Sequence, residues 1–108
     1  MDKPLFIPLK AEYFNAFLSG KKSVEYRPYG PGWNDRTCTV GRHVTLSLGY
    51  GKHSRISGVI TRFERTTAVQ KLPGWAECYG NKHREAACIH IALADTERNG
   101  MSGAFVID

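Results

Sequence analysis

Cysteine is scarce in this chain: Cys38, Cys78 and Cys88 are odd in number and far apart, which excludes a disulfide-built scaffold. No apolar run approaches the roughly 20 residues that span a bilayer, so membrane-spanning functions are set aside. The opening MDKPLFIPLKAEY is interrupted by Pro4 and Pro8 and does not read as a secretory signal. These absences predict a cytoplasmic protein with reduced thiols. Metal motifs are lacking too. Cys78 with His83 and Cys88 with His90 give no paired short spacing of the kind zinc sites use, so no metal and no cofactor are expected. The chain has no nucleophile elbow and no Gly-Lys-Ser/Thr phosphate loop.

What is present fits one domain spanning residues 1–108, since two cores in 108 residues would each be too small. Fifteen Lys and Arg against ten Asp and Glu leave a net charge of +5. That balance suits an anionic partner such as RNA or a nucleotide.

Hydrophobic periodicity predicts the elements. Leu5 to Leu9 is β-prone and tolerates Pro8 only at a sheet edge. From Ala11 to Ser19, Tyr13, Phe14, Phe17 and Leu18 recur at helical spacing and form one apolar stripe. Gly20 follows as a left-handed cap, with Lys21 and Lys22 where the helix dipole favours cations. The period then drops to two, with Ser23, Glu25 and Arg27 on one strand face and Val24 and Tyr26 on the other. Further strands are expected at Val40 to Leu48 with Val44, Leu46 and Leu48 inward, at Ile56 to Phe63 with a bulge at Gly58, and at Ala87 to Ala94. GAFVID at the end is a candidate closing strand, and Thr66 to Asn81 reads only as a loop or short helix. The sum is an α+β, mostly β fold: a small closed barrel with one early helix, short helical segments and a ligand cleft at one mouth.

The stretch SGKKSVEYRPYGPGW crowds opposite charges beside a turn. Glu25 and Arg27 share a face, so a barrel would aim both at its interior or mouth. Strict alternation puts Lys22 opposite Glu25, and the two meet only if the first strand residue is irregular. Sheltered from water, charges about 4 Å apart interact by roughly 4 kcal/mol, against about 1 kcal/mol in solvent. A second basic turn, GYGKHSR, offers Tyr50, Lys52, His53 and Arg55 and reads equally as a ligand contact or a plain hairpin.

SGKKSVEYR resembles the G-x-K-x-x-E-x-R pattern of ASCH domains, met here by Gly20, Lys22, Glu25 and Arg27. AEYFNAFLSG before it, then VGRHVTLSLGYG and ISGVITRFE, follow the same order of helix, strands and glycine turn over roughly residues 5–95. The resemblance implies a PUA-like β-barrel that binds RNA or nucleotides. It also implies, by analogy with small bacterial members, an amidohydrolase that removes the N4-acyl group from cytidine. The family lysine carries over onto Lys22. Those enzymes have a threonine three residues later, where this chain has Glu25, which argues against a hydroxyl nucleophile. They also use a second-half carboxylate, for which Glu77 is the first candidate and Glu64 the second.

The expected function is therefore hydrolysis of N4-acylated cytosine nucleosides without a metal. Lys22, Glu25 and Glu77 are the catalytic candidates; Arg27, Tyr29, Trp33, Tyr50, Lys52 and Arg55 are the substrate-binding candidates. The partner is a nucleoside or RNA, with no membrane. A non-catalytic RNA- or nucleotide-binding module is the alternative. A ribonuclease drawing on His43, His53, His83 or His90 is a further one.

Overall fold

Five strands and two short helices follow in the order that the periodicity predicts, the second helix falling where only a loop or short helix was expected. In a computed structural model, which describes residues 3–94, β1 (Leu5–Leu9) leads into α1 (Ala11–Leu18) and β2 (Val24–Pro28). β3 (His43–Leu48) and β4 (Arg55–Thr66) follow; a 3-10 turn (Val69–Lys71) and α2 (Trp75–Tyr79) precede β5 (Ala86–Leu93). The fold is α+β and mostly β. The GAFVID segment lies outside the described residues. No helix among them is long and apolar enough to cross a membrane.

The strands form one sheet in the order β1-β3-β4-β5-β2, curled into a half-barrel. β1 runs parallel to β3, and the other pairings are antiparallel. The expectation of a closed barrel is corrected here: β1 and β2 are the two edges, with no backbone ladder between them. A side chain spans the gap instead, where the Arg27 guanidinium donates to the Pro8 carbonyl at 2.6 Å. Pro8 sits on an edge strand, where its missing N–H costs least.

The concave face holds the core. Ile7, Leu9, Val44, Leu46, Ile60, Ile89 and Ile91 pack there under Phe14 and Phe17 of α1. Burial of each large apolar side chain contributes about 1.5–3 kcal/mol before the entropy of ordering is counted. A smaller cluster, Trp75, Ala86 and Cys88, lies under α2 with Val24, Tyr26 and Tyr79 against it. β5 is thus covered on both faces, and Ala86 through Ile89 are all buried.

Three local expectations are revised. The helical stripe is narrower than predicted, because Phe14 and Phe17 are buried while Leu18 is exposed. The third strand begins at His43, not Val40. Gly41, at φ 92°, makes a turn ahead of it and leaves Val40 exposed, and Leu48 at the strand's far end is exposed as well. The irregularity of β4 falls between Ile60 and Arg62, not at Gly58. Gly58 is required for a different reason: a Cβ there would lie 2.9 Å from the Ala92 carbonyl oxygen and 2.9 Å from Ile91.

Candidate functional site

The chain's return from α1 sets the site. Ser19 caps the helix, Gly20 turns at φ 81°, and the Lys22 N–H bonds back to the Ala16 carbonyl at 3.0 Å. That bond pins Lys22 to the helix end before β2 starts at Val24, which is the irregularity that alternation alone forbids. Lys22 Nζ consequently sits 3.5 Å from Glu25 Oε1. Arg27 Nε donates to Glu25 Oε2 at 2.7 Å.

Glu25 is only 6% exposed and pairs across the sheet with Ile89, so it lies on the core face. A buried carboxylate is tolerated when its charge is paired and its oxygens are hydrogen-bonded. Both oxygens here meet a cation. Arg27 is itself fixed from two further sides, by the Pro8 carbonyl and by the Trp33 ring 4.8 Å from its guanidinium carbon. Lys22 stands among aromatic faces, 4.9 Å from the centre of Tyr26, 5.4 Å from Tyr13 and 5.6 Å from Phe17. Such rings attract a cation without neutralising it or accepting its protons.

These charges line a cavity of about 250 Å³ at the seam between the sheet's edges. Pro8, Leu9 and Lys10 come from the β1 side, and Lys22, Glu25, Tyr26 and Arg27 from the β2 side. The cavity wraps the free edge of β2, so residues from both of that strand's faces reach it. α2 closes the third side with Trp75, Cys78 and Tyr79, entered through Pro73 and Gly74. Gly74 is at φ 78° and a Cβ there would meet the Tyr13 hydroxyl at 2.8 Å, so glycine lets α2 approach α1. Lys10, Lys22 and Arg27 outnumber Glu25, which makes the lining net positive.

The tyrosines are neutral phenols across the working range. The Tyr13 hydroxyl is pushed up to about 12, first by its hydrogen bond with the Cys78 thiol and then by burial. Burial raises Tyr26 and Tyr79 as well. One group in the wall is unsatisfied. The Trp75 indole Nε1–H is, among the described residues, a buried side-chain polar atom with no partner. Such a group costs about 1–3 kcal/mol.

The structure brings together Lys22, Glu25 and Arg27 and leaves the other candidates outside the cavity. Glu77 is on α2 but exposed, and is not in the lining. Glu64, on β4, accepts from Arg62 of the same strand and pairs with the His90 ring of β5. Tyr29 and Trp33 line no part of the cavity: Tyr29 donates to Asp35 and lies under Arg65, and Trp33 supports Arg27 from the core side. Tyr50, Lys52 and Arg55 also lie outside the cavity lining. Tyr50 and Lys52 are exposed on the β3–β4 turn and Arg55 at the start of β4, where it donates to the Gly51 and Tyr50 carbonyls. The aromatic wall that sequence reasoning missed is Tyr13, Tyr26, Trp75 and Tyr79. A signal for half of it was present, because Trp75 and Tyr79 are four apart, the spacing of one helical face, between Gly74 and Gly80.

The arrangement offers a carboxylate, an ammonium donor and a fixed guanidinium in a partly closed, aromatic-walled space. No family model matches the chain, and no curated protein matches it.

Proposed function

We propose that the chain is a small ASCH-type amidohydrolase that removes the N4-acyl group from acylated cytosine nucleosides, in the cytoplasm. The observation that carries this reading is the buried Glu25 held between Lys22 and Arg27 at the wall of a cavity large enough for a pyrimidine. The cavity, at about 250 Å³, is slightly smaller than the usual small-molecule site of about 300–1,000 Å³, and four aromatic residues, Tyr13, Tyr26, Trp75 and Tyr79, line it beside the charged groups.

An N4-acyl cytosine is an amide whose leaving nitrogen is conjugated to an electron-poor ring, so it departs more readily than an alkyl amine. Glu25 takes a proton from water as the water oxygen bonds to the acyl carbon. Lys22 donates to the carbonyl oxygen as negative charge grows there. The proton held by Glu25 passes to N4 as the C–N bond breaks, giving cytidine and a carboxylic acid, and Glu25 is regenerated. Arg27 positions Glu25 and is not a proton carrier. No second-half carboxylate is needed, which accords with the outward placement of Glu77 and Glu64.

Incubation with N4-acetylcytidine, followed by chromatography, tests the proposal. Wild type is expected to release cytidine, and Glu25→Ala and Lys22→Ala to fall by about 100-fold or more. Absence of release by wild type, or unchanged release by both variants, contradicts it.

One observation favours a second reading, a nucleotide- or RNA-binding module. Tyr50 is 81% exposed beside Lys52 and Arg55, the mixture of stacking ring and cations that single strands use. Binding through that turn would weaken steeply with salt, whereas a nucleoside in the cavity would not.

A further inference from the structure

We infer that Tyr79 is a further catalytic residue, whose phenol hydroxyl donates to the acyl oxygen of the substrate from the α2 wall. The inference rests on the amidohydrolase reading above and goes beyond it by naming a second donor for the developing charge. Tyr79 lines the cavity and is half-buried, its ring 4.6 Å from Trp75 and 5.7 Å from His83. Tyr13 and Tyr29 commit their hydroxyls to Cys78 and Asp35. Among the described residues, no hydrogen bond within the protein engages the Tyr79 hydroxyl. Nor is its oxygen sealed off: Trp75 Nε1 is the buried, unpartnered side-chain atom there, and the phenol oxygen keeps accessible surface.

Two spaces border this ring, the seam cavity and a surface depression that continues through Gly80 to His83. After burial, the groups that act on the hydroxyl are Arg27, then Glu25 and Cys78. Arg27 and Glu25 line the cavity alone, while Lys82 and His83, which line the depression, do not act on it. The hydroxyl therefore faces the seam, across from the buried carboxylate. A substrate whose acyl carbon lies against Glu25 presents its carbonyl oxygen between Lys22 on the β2 side and Tyr79 on the α2 side. A phenol that stays protonated donates there and does not compete with Glu25 as the base. Such a bond strengthens as the carbonyl becomes an oxyanion, so it lowers the barrier more than it tightens the substrate. Tyr79 transfers no proton, and Glu25 still carries the proton from water to N4.

The test compares the full chain with Tyr79→Phe, which keeps the ring against Trp75 and removes only the hydroxyl. With N4-acetylcytidine, kcat is expected to fall about 100-fold and KM to stay within about twofold. Cytidine, which lacks the acyl oxygen, is expected to bind both proteins equally. An unchanged kcat in the variant, with wild type active, overturns the inference and leaves the amidohydrolase reading standing. So does a variant whose cytidine affinity falls as far as its kcat, because that is what a merely structural role produces. Absence of cytidine release by wild type overturns both. Should Tyr79→Phe fail to fold, 3-fluorotyrosine at position 79 decides. Its more acidic phenol is the stronger donor, so kcat is expected to rise about twofold, and an unchanged or lower kcat overturns the inference.

Discussion

The seam cavity and the Gly49–Arg55 turn draw on similar residues, glycine, lysine, arginine and tyrosine, and put them to opposite uses. At the seam, the backbone of α1 and the edge of β2 force Lys22 and Arg27 onto one buried carboxylate. At the turn, Arg55 satisfies carbonyls of its own loop and stacks 5.1 Å over Phe6, while Tyr50 stands in solvent. The composition of a charged stretch does not decide whether it becomes a site. The decision belongs to the neighbours that remove water from it.

The sharpest way to break this comparison is to delete a charge from each region. Glu25→Ala leaves Arg27 and Lys22, both with side chains 16% exposed, without their shared partner. Its expected cost is about 3 kcal/mol in urea unfolding, because an uncompensated charge stays largely buried. Arg55→Ala is expected to stay within about 0.5 kcal/mol of wild type. Equal losses would mean that the seam is no more sheltered than the turn.

A smaller effect distinguishes the cavity from the core beneath it. Burial pushes the Cys38 and Cys88 thiols up, whereas Cys78 is exposed at the cavity wall. A thiol reagent is expected to modify Cys78 alone in the native protein and all three cysteines in denaturant, read by mass spectrometry. Saturating cytidine should slow the Cys78 reaction several-fold. Rapid native labelling of Cys88 would contradict the packing described under α2.

The smallest effect lies on the outer surface of β4. Pairing with the His90 ring, with Arg62 adding to it, holds the Glu64 carboxyl below its ordinary value. Its contribution to stability is thus present above the ordinary carboxylate range and is lost as pH falls through the lower, folded value. Because the pair is exposed, Glu64→Gln should only slightly flatten the acid limb of a stability–pH curve measured by urea midpoint. A large change would place Glu64 inside a buried network.

Much of the frame was legible because local rules governed it. The α1 periodicity, the Gly20 cap and the alternation through Arg27 correctly put Glu25 and Arg27 on one face. Lys22 was legible only as a conditional, since the bond from its N–H to Ala16 is a tertiary consequence of how the chain returns. The α2 wall was read only as a loop or short helix. Trp75 and Tyr79 give a single pair at helical spacing, too little to set a period, and the φ values of the bracketing glycines, 78° and 60°, come from the fold. The stacking candidates lie outside the cavity for a related reason: Tyr29, Trp33 and Tyr50 were judged by their closeness in sequence to glycine and charge. The sheet order instead turns the first toward Arg65, the second under Arg27 and the third into solvent.

The most direct test of the seam as the ligand site is a cytidine titration of the isotope-labelled chain followed at the backbone amides. The account predicts that the largest shifts cluster at Lys22 to Arg27 and Gly74 to Tyr79, with the turn at 49–55 unmoved. Shifts confined to that turn, with the seam silent, would contradict it.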